Sequence, residues 1–403
     1  AEAVKVALIR DAAFFGWLLE TMRARQVDAL LVAGDVFDTG TPGPQAQKLY
    51  YDFLRRVRET GCRHVVITAG NHDSPSFLEA PAEVLQMLSV HVVGQARENP
   101  GDEVICLRAP DGRPEAFVCA IPFLRDRDVR RQEDGETPQD KERRLVQGIS
   151  AHAGAVCAAA LQMRQQTGLP VPVVAMAHLY ISGAAPGARD DGSRPLYVGT
   201  LGEVPETIFP PELDYVALGH LHRAQKAGHD RIRYSGSVLP MSFSETQAKS
   251  CFLVSVSPQG TQVETIGIPV FRRLVQVRGS VAEIQDQLRQ LQSEGKSVFV
   301  DVVHTGDAVS DDLRRQIQET LEPGRKETIE ILRFGSERRA SQVIEPASLQ
   351  ETLEELDELE VFGRRLNGIV PPLSPEKREK LLQLYQETLA WMARSEAEPE
   401  KEA

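Results

Sequence analysis

Val65-Val66-Ile67-Thr68-Ala69-Gly70-Asn71-His72-Asp73 decides how this chain reads. Five apolar or β-branched residues in an unbroken run mark a strand buried on both faces, and the glycine after them ends it. Beyond the glycine stand an amide, an imidazole and a carboxylate. Three more apolar runs end in the same manner: Leu30-Leu31-Val32-Ala33 before Gly34-Asp35, Val173-Val174-Ala175-Met176-Ala177 before His178, and Val216-Ala217-Leu218 before Gly219-His220-Leu221-His222. In an α/β sheet the carboxyl ends of the strands border the ligand crevice, so these four ends are expected to converge. A lone Gly-Asp is an ordinary turn, and a lone histidine after a strand is ordinarily a satisfied core residue. Four such ends in this order gather carboxylate, amide oxygen and imidazole. That donor set suits Mn2+, Fe2+ or Zn2+ better than Mg2+ or Ca2+ alone.

Around these runs, short apolar segments alternate with amphipathic ones. Strands are predicted at residues 5–9, 29–33, 64–69, 90–93, 116–121, 171–177, 215–218 and 251–256, and helices at 11–25, 44–60, 80–88 and 140–166. The pattern gives an α/β fold, largely parallel, with an antiparallel portion where the later strands crowd together. The texture changes at Ile268-Pro269-Val270. Strand, helix, strand, helix, strand follow at 273–278, 281–293, 297–303, 311–320 and 328–334, a small α/β unit of its own. From residue 348 the chain reads as helix, with Pro371-Pro372 separating 349–366 from 375–394, and 395–403 is a solvated acidic tail.

The 403 residues suggest two or three domains, and 41% hydrophobic with 26% charged residues excludes disorder, collagen and rod-like coiled coils for the chain as a whole. The longest apolar runs are strand-sized, short of the roughly 20 residues of a membrane span. Ala1-Glu2-Ala3-Val4-Lys5 shows no secretory signal pattern. Five cysteines, none in a C-x-x-C pair, read as reduced thiols in a cytoplasmic protein. A net charge of −12 argues against coating nucleic acid by bulk charge. A nuclease needs only local positive patches; Arg125, Arg127, Arg130 and Arg131, with Arg189 and Arg194 in a Gly-rich segment, are the candidates for DNA contact.

Gly34-Asp35-Val36-Phe37-Asp38, Gly70-Asn71-His72-Asp73, His178 and Gly219-His220-Leu221-His222 resemble the calcineurin-like metallophosphoesterase superfamily. Ile121-Pro122-Phe123-Leu124-Arg125, Tyr197-Val198-Gly199-Thr200, Tyr234-Ser235-Gly236-Ser237 and Glu360-Val361-Phe362 narrow the resemblance to the SbcD family of bacterial nuclease subunits, over nearly the whole chain. The resemblance implies a two-sheet metallophosphoesterase sandwich flanked by helices over residues 1–268. It implies a capping DNA-binding domain over 269–340 and, over 341–394, helices that bind the coiled-coil base of the ATPase SbcC. The implied function is a metal-dependent DNA exonuclease and single-strand or hairpin endonuclease, a homodimer within an ATP-driven SbcC heterotetramer that processes DNA ends in repair and recombination, in the cytoplasm at the nucleoid. Carried over, Asp35 bridges two Mn2+ ions, with Mg2+ or another divalent ion as alternatives. Asn71, His178 and His220 complete one shell, and His222 belongs to the other. His72 is the catalytic histidine that binds no metal, and Asp38 and Asp73 stand behind the ligands.

One departure matters. The family opens with Asp-x-His directly after its first strand, whereas here residues 5–9 run through Arg10-Asp11 straight into a helix, with almost no room for a loop. The expectation is that a flexible stretch is missing after Ile9, and that otherwise the second ion has only Asp35 and His222. Two other functions compete: a metallophosphoesterase for small substrates, and a non-catalytic adaptor that has lost the first metal motif.

Overall fold

The structure, a computed structural model, describes residues 2–129, 137–184, 203–243, 245, 247–257, 259–306, 311–321, 329–336, 377 and 380–385. The chain divides into two units, Ala1–Leu274 and Val275–Ala403, six residues beyond the expected boundary.

The first unit begins with α1 (Glu2–Ala24), β1 (Ala29–Ala33), α2 (Pro44–Val57), β2 (His64–Thr68), the short helices α3 (Pro75–Glu79) and α4 (Ala82–Gln86), and β3 (Val90–Val93). It continues through β4 (Val104–Arg108), β5 (Pro114–Ile121), α5 (Asp126–Val129), α6 (Pro138–Thr167), β6 (Val173–His178) and β7 (Tyr215–Gly219). It ends with β8 (Gln225–Ala227), β9 (His229–Tyr234), β10 (Ser250–Ser257) and β11 (Gly260–Gly267). β1, β2 and β3 form one parallel sheet. A six-stranded sheet runs β4-β5-β6-β7-β9-β8, parallel through its centre and antiparallel at both edges, and β10-β11 is an antiparallel hairpin.

Alternation along the strands builds the layers. Val118 and Ala120 of β5, Met176 of β6 and Val66 of β2 bury themselves between the two sheets. Cys119, Ile121, Ala175 and Ala177 point the other way, onto Leu145, Ile149, Ala153, Val156 and Ala160 of α6. Val65 and Ile67 of β2 pack with Leu19 of α1 and Tyr50, Phe53 and Leu54 of α2. The result is a two-sheet sandwich flanked by helices, as the motifs predicted. α6 corrects the expectation that every apolar stretch is strand-sized: Gln139–Thr167 has the length and composition to cross a membrane. One side of it is instead built into the core named above. Its ends are set by Thr137, whose hydroxyl accepts from Asp140 N, and by Gly168 in the left-handed region.

The predicted strand at 5–9 is absent; those residues are the first turns of α1. Glu2–Ala24 contains no proline and a single glycine, so nothing in it stops a helix. A helix satisfies its backbone groups locally, whereas a strand needs a neighbour and a loop to bring it there. The helix predicted at 80–88 is shortened to α4, with Pro81 at its N-cap position, and α3 before it was not foreseen. β4, β8, β9 and β11 were not foreseen; β4 is a short edge strand, and in β8, β9 and β11, which belong to hairpins, charged residues interrupt the apolar pattern.

In the second unit β12 (Arg273–Gly279), α7 (Val281–Ser293), β13 (Val298–His304), α8 (Asp311–Glu319) and β14 (Ile329–Ser336) follow the predicted order. The sheet order is β12-β13-β14. Ile284 and Leu288 of α7 and Ile317 of α8 pack on Val298, Val300 and Val302 of β13. A capping box at Ser280 and Glu283 starts α7. The predicted helices at 349–366 and 375–394 lie outside the described residues, except that 377 and 380–385 are helical.

Candidate metal centre

Three strand ends meet at contact distances that only glycine permits. A Cβ on Gly34 would lie 2.1 Å from His178 Nδ1, one on Gly70 2.1 Å from Asp35 Oδ1, and one on Gly219 1.7 Å from the Ala33 carbonyl. Asp35 and His220 themselves take positive φ values of 50° and 98°, conformations that cost a non-glycine residue about 1–3 kcal/mol each. Asp73, 3% exposed, ties two of the loops together. Its carboxylate accepts from Gly70 N at 2.8 Å, Phe37 N at 2.9 Å and Val36 N at 3.0 Å.

Within this frame His178 donates its Nδ1–H to the Ala33 carbonyl at 2.9 Å. Its Nε2 then faces Asn71 Oδ1 at 3.0 Å and Asp35 Oδ2 at 3.2 Å. Asn71 Oδ1 also lies 3.1 Å from His220 Nδ1. Amide and carboxylate oxygens only accept, so a neutral His178 brings a third lone pair to the same point. Two oxygen acceptors and imidazole nitrogens gathered at one point suit a cation. Among the described residues, Asp35, His178 and His220 are the group whose ligand atoms lie within 4.8 Å of one another. Burial would raise the Asp35 pKa, but the bond and charge of His178 and the backbone N–H of His72 bring it down to about 2. Burial, helped by the neighbouring His178, lowers His220 to about 4. At neutral pH the Asp35 carboxylate is ionised and the His220 imidazole neutral, the forms in which each binds metal.

Residues 11–129 match the family profile described as calcineurin-like phosphoesterase, and residues 270–368 the one described as type 5 capsule protein repressor C-terminal domain. Over 386 residues, 94% of this chain and 92% of the relative, the sequence is 37% identical to the SbcD component of the nuclease SbcCD of Escherichia coli K12. The chain belongs to the SbcD family. The SbcD relative from Rhodobacter capsulatus is 40% identical over 239 residues, 58% of this chain and 57% of its own. A β-glucosidase from Exiguobacterium marinum aligns at 11% identity and a TM-score of 0.20 over 80% of this chain and 77% of its own, too low to bear on the fold. The phosphoesterase match carries use of divalent metal with it.

Around this SbcD-family centre the other predicted residues are spread. His72 donates its N–H to Asp35 Oδ1 at 3.1 Å, and its Nδ1 lies 3.1 Å from the Asp38 carbonyl. It is thus the Asp38 backbone that meets the His72 ring. His222 is close enough to His220 to act on its charge. Phe123 stands edge-on to His178, ring centres 6.2 Å apart. Arg125 reaches the Asp73 carbonyl at 3.4 Å, while Arg127, its side chain 75% exposed, lies 3.7 Å from Asp128. Arg130, Arg131, Arg189 and Arg194 lie outside the described residues. Sequence reasoning missed Glu245 and Lys249, which gather behind His222. The signal was there in the acidic–basic pair four residues apart that follows Tyr234-Ser235-Gly236-Ser237.

Proposed function

We propose that this chain is the nuclease subunit of an SbcC–SbcD complex, a Mn2+-dependent phosphodiesterase that cuts DNA ends and single-stranded or hairpin DNA. The observation that carries the reading is the convergence of His178 Nε2, Asn71 Oδ1 and Asp35 Oδ2 at about 3 Å, at the ends of three neighbouring strands. Asn71, His178 and His220 would hold one ion, His222 the other, and Asp35 both. Bound there, divalent ions would supply Lewis-acid polarisation of the phosphodiester and of an attacking water.

The chain's own groups do the rest. The Ala33 carbonyl fixes the Nδ1–H of a neutral His178, so its Nε2 carries the lone pair. Asp73 holds the Gly34 and Gly70 loops in register, so Asp35 and Asn71 arrive together. His72, its ring held at Nδ1 by the Asp38 carbonyl, presents in its imidazolium form an Nε2–H that protonates the leaving oxygen. Arg125 and Arg127 steer phosphate toward the centre, the second unit helps to place DNA, and the C-terminal helices dock on SbcC. The working assembly is a dimer with two SbcC subunits, in the cytoplasm at the nucleoid and free of membrane.

A second reading has its own observation. Residues 5–9 are helical, and they are where a strand was expected to lead to the Asp-x-His of the second ion. With only Asp35 and His222, that position is weak, and the chain would serve as an adaptor. Incubation with Mn2+ and, in parallel, single-stranded plasmid and a para-nitrophenyl phosphate ester separates the readings. Cleavage of plasmid alone supports the nuclease, turnover of the ester alone a small-substrate enzyme, and neither an adaptor.

A further inference from the structure

His222 is held at two points by one polar cluster. Its ring Nδ1 lies 3.3 Å from Glu245 Oε1, and its backbone carbonyl accepts from Lys249 Nζ at 3.1 Å and Ser237 N at 3.1 Å. The cluster is itself closed. Lys249 also donates to Ser237 Oγ at 2.7 Å, whose hydroxyl donates to the Leu239 carbonyl at 2.9 Å, and forms an ion pair with Glu245, whose Oε2 accepts from Met241 N at 3.3 Å. The side chains of Glu245 and Lys249 are only 18% and 11% exposed, against 41% for His222. Gly236 makes the enclosure possible: its φ is 81°, and a Cβ there would lie 2.8 Å from the His222 carbonyl. A weak surface pair would leave the carboxylate free to turn; here Lys249 and the Met241 N–H hold it besides the imidazole.

From this we infer that Glu245 is a positioning residue: it holds His222 in the Nδ1–H tautomer and leaves Nε2 as the only lone pair the ring can offer. A carboxylate accepts and does not donate, so the neutral ring facing it must carry its proton at Nδ1. His178 meets the same requirement through the Ala33 carbonyl, so the two rings are prepared alike by unrelated partners. A carboxylate behind a ligating histidine sets the tautomer and makes the ring a better donor. The inference rests on the metal reading of His222 given above, and its test separates the two.

The test is nitrogen-15 NMR of the full-length, metal-free chain labelled at histidine. Wild type is expected to show His222 protonated at Nδ1. Glu245→Ala is expected to move the ring to a population dominated by Nε2–H, with His178 unchanged as a report on the fold. Glu245→Gln keeps an acceptor in place and is expected to retain Nδ1–H. His222 protonated at Nε2 in wild type, or unaltered in Glu245→Ala, overturns the inference. Should Glu245→Ala disturb His178, Lys249→Met releases the carboxylate without removing it. It is expected to spread His222 over both tautomers, and a fixed ring there overturns the inference equally. Titration with Zn2+ then reads the ligand role: the concentration that shifts His222 Nε2 should rise about 10–100-fold in Glu245→Ala. A wild-type His222 in the Nδ1–H form that ignores Zn2+ would refute the metal reading of this histidine and leave its tautomer explained.

Discussion

Replacing Gly219 by alanine adds one methyl group at the point where three strand ends come closest. The new Cβ would stand 1.7 Å from the Ala33 carbonyl oxygen and 2.8 Å from His178 Nδ1. Ordinary contact requires β1 and β7 to part there by about 2 Å. The opening removes the hydrogen bond from His178 Nδ1 to that same carbonyl, formed at 2.9 Å by a side chain 1% exposed. Overpacking of a tight site costs about 1–3 kcal/mol, and an unsatisfied buried polar group about 1–3 kcal/mol more. The sum, about 2–6 kcal/mol, corresponds to a fall in Tm of about 5–20 °C for a unit of this size. With its Nδ1–H released, His178 no longer presents Nε2 reliably, so Mn2+ binding should weaken as well. Gly154→Ala is the control, because nothing lies within 4 Å of a Cβ there and the residue is inside α6. The same methyl should stabilise that helix by about 0.5–1 kcal/mol. Calorimetric unfolding of both variants without metal, followed by Mn2+ titration, makes the comparison. A Gly219→Ala protein within 2 °C of wild type, about the shift of 1 kcal/mol, with unchanged Mn2+ affinity would refute the steric reasoning.

His72→Asn should bind Mn2+ as wild type does yet lose cleavage by about 10²–10⁴, and loss of metal in that variant would show the assigned role to be wrong. Asp73→Ala strands three N–H groups, at Gly70, Val36 and Phe37, and should lower stability to urea by about 3 kcal/mol or more; a loss under about 1 kcal/mol would mean that the latch does not matter. Acid should destabilise the metal-free protein in two stages. His220, lowered to about 4, binds its proton in the unfolded chain first, so stability falls by about 3 kcal/mol as pH drops from about 6.5 to 4. The contribution of Asp35, held at about 2, is present above the ordinary carboxylate range and is lost only as pH falls below about 4. Urea midpoints measured from pH 7 to 4 check the first stage, and a flat profile there would contradict a buried neutral His220. Removal of residues 349–403 should leave a folded, metal-binding chain that no longer associates with SbcC, and undiminished capture of SbcC in a pull-down would exclude the tail as the docking element.

Strand-sized apolar runs that lead, three of them through a glycine, to Asp35, Asn71, His178 and His220 were enough to place these four residues at strand ends, because burial on both faces and the need for glycine at a sharp turn are local demands. The second unit was legible for the same reason: α7 is written in its capping box and apolar period, and β13 in its unbroken run. Tertiary structure alone decided three other things. It made residues 5–9 a helix, since a strand exists only if a neighbour accepts its backbone, and the sequence does not say whether one will. It turned Asp73 into the clasp between two loops, because three backbone donors come within reach of one carboxylate only after β1 and β2 pair. It also brought Glu245 and Lys249, more than twenty residues along the chain, behind His222. Spacing in sequence reports which residues share a strand or a helix face; which carboxylate will stand behind which imidazole is settled by the turn at Gly236 and by the packing that closes it.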